Sequence, residues 1–392
     1  MKKIAIVTYH YFKTKTRGGE IYTKKLTNIL KDKYQTTILT TRSADHTTWK
    51  NKLKEYEVDN KNKIIRFKID FEVKPRNRIE KTINILNNKL RAFKDELNYL
   101  KTIGPYSSSL FNFLSKNKEN FDIFIFIGYA NPITYFGLPL VKEKSILIPL
   151  THKEPILYLS IFDELFKQPK IIGFSSVGEK EIIKKRFKKL PKLVQIGIYP
   201  EEFKSKINFQ FIKNRYNLFN PYVLFIGRTE PYKGIYDLID FFLKFKSAEK
   251  NDIDLVIIGE KLFPIKTNKN IKFLGILSEE EKTILIKNSL FLVNPSWYES
   301  LSLTVLEAWQ QKKPVLVYGL NHVLKRQIEL SKGGLFYENY NDFVLKMNDL
   351  IKYKKKKQKL GENGFRFYLN NYKKEIVKEK LINIIENFNN FK

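Results

Sequence analysis

The stretch Asn294–Gln310, NPSWYESLSLTVLEAWQ, sets Glu299 and Glu307 on either side of a junction between a strand and a helix. FLVNP, Phe291 to Pro295, reads as the strand. Leu303, Val305, Leu306, Ala308 and Trp309 give the helix an apolar face, and Ser300 and Ser302 stand where it begins. An open first helical turn carries N–H groups without intrahelical partners at the positive end of the helix dipole, a seat for phosphate. An ionised carboxylate only accepts hydrogen bonds. Glu299, just ahead of the turn, therefore suits the hydroxyls of a sugar, and Glu307, farther along, suits a ribose diol. A solvated pair of surface acids reads the same way locally, so the surrounding chain has to decide.

Upstream, YVLFIG (Tyr222 to Gly227) reads as a buried strand, followed by RTEPYKG (Arg228 to Gly234) and the amphipathic run IYDLIDFFLKF. This order puts Arg228 and Lys233 at the carboxyl edge of a sheet, where open α/β sheets bind their ligands. Cations fixed there offset the charge that builds on a diphosphate leaving group, Arg with a forked pair of hydrogen bonds.

The rest of the chain alternates strand and helix signals. Strands are predicted at 3–8, 35–40, 63–69, 121–127, 145–150, 171–174 and 193–195, and again at 222–226, 253–258, 271–274, 290–294 and 314–317. Between the two sets, the weakly periodic Tyr199 to Pro221 is predicted as a linker. From Arg78 to Lys101, apolar residues recur in steps of four and three along a single helical seam flanked by Arg76, Arg78, Lys81, Lys89, Arg91 and Lys94. Such a seam fits a long helix packed on its domain, or a surface that meets lipid or another subunit.

Together these segments resemble the retaining group-one glycosyltransferases of the GT-B fold. IAIVTYHYFKTKTRGGEIYTKKLTNIL is similar to the family's first strand, Gly-Gly loop and first helix, with Gly18, Gly19 and Glu20 in the loop position. ILIPLTHKEP resembles the strand that delivers the family's active-site histidine, here His152. FSSVGEKEIIKKRF and LVQIGIYPEEF resemble the segment that closes the first domain. The resemblance implies an α/β chain of two doubly wound Rossmann-like domains facing a central cleft. Residues 1–205 would be the acceptor-side domain, 206–372 the nucleotide-sugar donor domain and 373–392 a helix crossing back.

It also implies a hexosyl transfer from a nucleoside-diphosphate sugar to a glycan or lipid-linked acceptor in cell-surface polysaccharide or glycoconjugate synthesis. The anomeric configuration would be retained, without a cofactor, a metal or a covalent enzyme nucleophile. In that scheme Glu299 holds the sugar hydroxyls, Glu307 the ribose, and His152 contacts the donor sugar from the other domain. Arg228 and Lys233 neutralise the departing diphosphate. Ser300, Leu301, Ser302, Leu303 and Thr304 line the donor, the turn supplying backbone N–H groups, while Gly18 and Gly19 let the first loop approach the phosphates. Ser300, Leu301 and Ser302 depart from the family's frequent Gly-Phe-Gly and put side chains where bare backbone is common. Gln195 and Ile198-Tyr199 likewise replace Asn and Val-Asp.

At 392 residues the chain exceeds one core, and its lack of cysteine excludes disulfides and thiolate chemistry. MKKIAIVTYHYF reads as a first strand, not a signal peptide, and no stretch reaches a membrane span. A cytoplasmic protein is expected, at the inner face of the membrane. The net charge of +31, from 72 Lys and Arg against 41 Asp and Glu, calls for anionic partners or reflects a lysine-rich composition. The cations are spread along the chain and no helix-turn-helix, zinc-finger or RNA-binding signature is present, so nucleic acid is not the expected partner. An anionic membrane carrying the acceptor fits better. A sugar-nucleotide epimerase of the same fold, which needs a further acid–base pair, and a basic nucleic-acid-binding protein are the alternatives.

Overall fold

The computed structural model of the chain describes residues 1–12, 18–45, 48–60, 62–203, 207–249 and 251–391. It contains two units, each built on a largely parallel sheet. Residues 1–175, 179–196 and 378–392 make the first, and residues 176–178 and 197–377 the second.

In the first unit the strands are β1 (Lys3–Thr8), β2 (Gln35–Thr41), β3 (Tyr56–Asp59), β4 (Asn62–Phe67), β5 (Ile123–Ile127), β6 (Ser145–Ile148), β7 (Ile171–Phe174) and β8 (Lys192–Gln195). They lie in the order β3-β4-β2-β1-β5-β6-β7-β8, and only β3 runs antiparallel to its neighbour. Strands buried on both faces read as unbroken apolar runs, which is why β1 and β5 show IAIV and IFIFI. Ile4, Ala5, Ile6, Phe124, Ile125 and Phe126 are all 0% exposed. The last helix, Lys374–Glu386, ends in this unit with Glu386 accepting from the Tyr34 hydroxyl at 2.6 Å.

The second unit contains β9 (Tyr222–Ile226), β10 (Asp254–Ile258), β11 (Ile271–Gly275), β12 (Leu292–Asn294), β13 (Val315–Tyr318) and β14 (Gly334–Tyr337). Their order is β11-β10-β9-β12-β13-β14, all parallel. Helix Ile235–Ala248 lays Leu238, Phe242 and Phe245 on Leu255 and Ile257, in a core shared with Phe343 and Met347. Each such buried side chain stabilises the sheet–helix contact by about 1.5–3 kcal/mol. The chain leaves β9 toward β10 on one side, while β12 pairs with β9 on the other, Leu292 beside Leu224. This is a topological switch point, and it sets the carboxyl ends of β9 and β12 next to each other.

Trp309 fixes the helix that follows β12. Fully buried, it donates from Nε1 to the Gly333 carbonyl at 2.9 Å. Its ring also lies so close to Gly364, on helix Lys354–Tyr372, that a Cβ there would stand 2.2 Å from Trp309 Cδ1.

Three expectations need correction. The seam from Arg78 to Lys101 is two helices, Pro75–Asn87 and Phe93–Thr102. The Asn88 side chain accepts from the Leu90 N–H at 3.0 Å, offering the backbone a local alternative to the helix, and Asp95 accepts from the Ala92 N–H at 2.8 Å to open the second one. The buried side of the pair is Ile85, Tyr99 and Leu100, whereas Ile79, Ile83, Leu90 and Phe93 of the seam stand in solvent. The stretch expected as a linker holds the helix Phe209–Arg215, because the Asn208 side chain caps it by accepting from the Gln210 N–H. Strands β3 and β14 were not expected at all.

Candidate functional site

The second unit gathers the predicted cations and carboxylates at the switch point. Thr229, 0% exposed, donates to the Phe263 carbonyl at 2.9 Å and accepts from the Leu262 and Phe263 N–H groups at 3.0 and 3.1 Å. It thereby pins the loop after β9 to the loop after β10. Arg228, just before it, pairs with Glu230 at 2.7 Å.

Lys233 ends the short turn Pro231–Lys233, and Gly234 follows with φ +67°. A Cβ at Gly234 would stand 2.1 Å from the Pro295 carbonyl oxygen, so only glycine lets the loop after β12 come this close. The approach brings Lys233 Nζ to Glu299 Oε1 at 2.7 Å. The two residues singled out for opposite ends of the donor's reacting bond are therefore direct partners. Both keep some exposure, 27% and 14% of their side chains.

The segment after Glu299 explains the missing glycines. Ser302 caps helix Leu303–Gln310 at φ −87°, a conformation open to any residue. Its hydroxyl accepts from the Val305 N–H at 3.3 Å and from the Asn294 side chain at 2.8 Å. A serine here thus does with its side chain what bare backbone leaves to water. The N–H groups of Leu303 and Thr304, in the first turn, have no intrahelical acceptor. Ser300 presents its carbonyl to the Ser176 hydroxyl at 2.6 Å, and Leu301 is nearly buried at 9%.

Glu307 is not a solvated surface acid: it is 8% exposed and pairs with Lys282 at 2.9 Å. Burial works against charge on Lys282, but Glu307 and Glu279, the latter at 2.7 Å, outweigh it and hold its pKa above the usual lysine value. Neither Lys282 nor Glu230 stands out in the sequence, where lysine is everywhere and Glu230 sits in a turn.

The first unit carries His152, Gly18 and Gly19. Glu179, 0% exposed, accepts from the Thr151 and Ser175 N–H groups at 2.5 and 2.6 Å and so fixes the segment leading into His152. His152 Nδ1 lies 3.3 Å from Glu154 Oε1, which also accepts from the Tyr129 hydroxyl at 2.8 Å. Burial and the Glu154 carboxylate push the Tyr129 pKa well up, so this phenol stays a proton donor. A cavity of about 240 Å³ opens beside them, lined by Tyr9, Trp49, Arg78, Asn131, His152 and Glu154 among others. The Arg78 guanidinium lies over the Trp49 ring at 5.5 Å. Apolar rings with a few converging polar groups are the make-up of a small-molecule site. Of its lining only His152 and Gly19 were named as site residues from sequence, and Arg78 only as a flank of the helical seam; Glu154, two residues after His152, was the signal within reach.

Gly18 and Gly19 open the helix Gly18–Leu30 and do not lie in a loop, and the preceding residues 13–17, part of the expected phosphate loop, fall outside the described residues. Glu20 is turned inward against His10 Nδ1. Among the described residues, no group of three or more His, Asp or Glu side chains is arranged to hold a metal.

Two doubly wound parallel-sheet units are the architecture of the GT-B fold. Over 99% of both chains, the structure resembles sucrose-phosphate synthase from Thermosynechococcus elongatus, with a TM-score of 0.69 at 14% identity. It also resembles Anabaena HepE in complex with UDP and glucose, with a TM-score of 0.70 at 12% identity over 98% of this chain and all of that one. Residues 207–367 match the family model of glycosyl transferases group 1. The trehalose synthase of Thermococcus litoralis is 27% identical over 179 residues, 41% of each chain, so the chain spans about two fifths of that curated relative.

Proposed function

We propose that the chain transfers a sugar from a nucleoside diphosphate to a glycan or lipid-linked acceptor, with the anomeric configuration retained. The observation that carries this reading is the Lys233–Glu299 pair at the switch point, beside the open turn of Leu303 and Thr304. The bond from the anomeric carbon to the diphosphate oxygen breaks, negative charge grows on the leaving group, and the acceptor hydroxyl oxygen bonds the same carbon on the face being vacated while its proton passes to the departing diphosphate. Arg228 and Lys233 meet that charge, together with the first-turn N–H groups. Glu299 accepts hydrogen bonds from the sugar hydroxyls while remaining bonded to Lys233. Glu307, held by Lys282, accepts from the ribose. His152, in the first unit, contacts the donor sugar, and Tyr129 and Glu154 in that unit's cavity provide a donor and an acceptor for the acceptor sugar. No metal or cofactor is assigned to these steps.

The structure of HepE with UDP and glucose makes uridine diphosphate sugars the first donors to try. Uridine, guanosine and adenosine diphosphate sugars are screened by thermal shift, and turnover of the best one is followed by NMR of the anomeric proton. Stabilisation by one donor, transfer with the α signal kept, and full activity in excess chelator are expected. An inverted product, or activity lost to chelator and restored by magnesium or manganese, would sink this mechanism. Conversion of donor alone to an epimer would replace it.

The two glutamates are expected to differ in kind. Glu299→Gln falls mainly on kcat, since it acts where the bond breaks. Glu307→Gln mainly raises KM for the donor, since the ribose is bound alike in the ground and transition states. Equal, mild effects of both in steady-state kinetics contradict the assignment.

The acceptor reading extends to an anionic membrane. No described helix is long and apolar enough to cross one, so contact would be peripheral. Support comes from the helices Pro75–Asn87 and Phe93–Thr102, where Ile79, Ile83, Leu90 and Phe93 are 61, 52, 95 and 48% exposed among Lys81, Lys89 and Lys94. Basic residues near anionic lipid contribute about 1 kcal/mol each. Arg91 is not one of them, since it pairs with Glu96 at 2.8 Å. Sedimentation with phosphatidylserine vesicles is expected, with release as salt rises and weaker binding after Lys81, Lys89 and Lys94 are replaced by Gln. Binding unchanged by the triple replacement removes this surface from the proposal.

A further inference from the structure

Three aromatic residues adjoin Lys233 and Glu299 in the chain: Tyr232, Trp297 and Tyr298. Tyr232 and Trp297 are 59% and 41% exposed. They meet edge to face, 6.3 Å between centroids at 78°, and Tyr298 stands 5.7 Å from Tyr232. Each is next in the chain to the pair or one residue further: Tyr232 precedes Lys233, and Trp297-Tyr298 precede Glu299.

Their placement is rigid. The Trp297 N–H donates to the Tyr232 carbonyl at 2.9 Å, and the bare Gly234 is wedged on Pro295. The indole Nε1 donates to Asp237 Oδ2 at 3.3 Å, which holds the Trp297 ring and leaves an exposed carboxylate at its edge. Exposed aromatic surface costs solubility, and fixing its geometry ahead of binding removes an entropic cost of capture.

The chemistry selects the occupant. One face of a pyranose is a row of C–H groups with partial positive charge, matched to the negative face of an aromatic ring. Its rim is hydroxyl, matched to the Asp237 carboxylate, an acceptor only. An anionic ligand meets repulsion from Asp237. A nucleobase is best held between parallel faces, and here the rings cross at 78°.

We propose that Tyr232, Trp297 and Tyr298, with Asp237, form a subsite for a neutral glycan chain, distinct from the residues that hold the nucleoside diphosphate. The proposal rests on glycosyl transfer as the function and narrows its acceptor to an oligosaccharide in which a sugar other than the reacting one lies on these rings.

Of the three tryptophans only Trp297 faces solvent, Trp49 and Trp309 being 2% and 0% exposed; because Trp49 lines the first unit's cavity, a fluorescence change counts for the rings only where Tyr232→Ala weakens it. The wild-type protein is titrated with maltohexaose, cellohexaose, chitohexaose and glucose. A saturable change with at least one hexasaccharide, tenfold or more weaker with glucose, is expected. Tyr232→Ala, which keeps the reporter, should weaken binding tenfold or more. Trp297→Ala should abolish saturation-transfer NMR signals from the glycan, and Trp297→Phe should restore part of them. Circular dichroism checks that the variants are folded. No saturable binding of any hexasaccharide, binding unaffected by Tyr232→Ala and Trp297→Ala, or displacement of the glycan by UDP would overturn the proposal. Thermal shifts of the wild-type protein with UDP, GDP and ADP test the donor reading on its own: a shift with any of them but no glycan binding rejects the subsite alone, and no shift with any of the three rejects the transfer reading whatever the rings bind.

Discussion

Replacing Lys233 with alanine is expected to lower kcat/KM for sugar transfer about 30- to 1000-fold, the effect of losing about 2–4 kcal/mol from one preorganised charge or donor. Two losses combine. The cation proposed to meet the diphosphate disappears, and Glu299, bonded to it at 2.7 Å, loses that contact. Because the pair is partly open to water, Glu299 can be solvated afterwards, and the fold should persist. The variant should therefore melt close to the wild type. Steady-state kinetics with the donor found by thermal shift gives the measurement. A loss below about threefold would show that the leaving group is met elsewhere.

The second large effect is structural in origin. Gly234→Ala places a methyl group 2.1 Å from the Pro295 carbonyl oxygen, on a residue with φ +67°. The left-handed backbone alone costs about 1–3 kcal/mol for a residue with a Cβ, and the collision with backbone adds to it, so a destabilisation of about 3 kcal/mol or more is expected. Urea unfolding of the second unit reports it. If instead the loop after β12 moves away, stability recovers at the expense of the Lys233–Glu299 contact and turnover falls. A variant of full stability and full activity would contradict the role given to this glycine.

The strands of both sheets were legible where burial on two faces leaves an apolar run: β7 and β9 match the sequence expectation residue for residue. β3, with the sequence YEVD, escaped because a solvent-facing edge strand carries charges and alternates weakly. β14, GLFY, is short and follows glycine, so it reads as a turn. The seam from Arg78 to Lys101 misled for a physical reason: a helical period persists across Asn88 although the backbone breaks there, and the exposed apolar residues obey the same spacing as buried ones. At the site, residue types were readable and partners were not. Lys233 and Glu299 lie 66 positions apart, and their contact depends on β9 and β12 being neighbours, a property of topology. Lys282, among 72 cations, had nothing local to mark it as the partner of Glu307.

The helix that presents Leu303 and Thr304 is keyed through Trp309 to two glycines, Gly333 and Gly364, from separate parts of the chain. The residues proposed to lie nearest the chemistry are thus aligned by positions that bear no functional group at all. A methyl at residue 364 would push on the indole ring, the ring on the helix, and the helix on its own first turn. Seen this way, the lock between tail and donor helix is made of two hydrogen atoms, the smallest side chains available, and a mutation there would look like a catalytic defect in a protein whose catalytic residues are all intact.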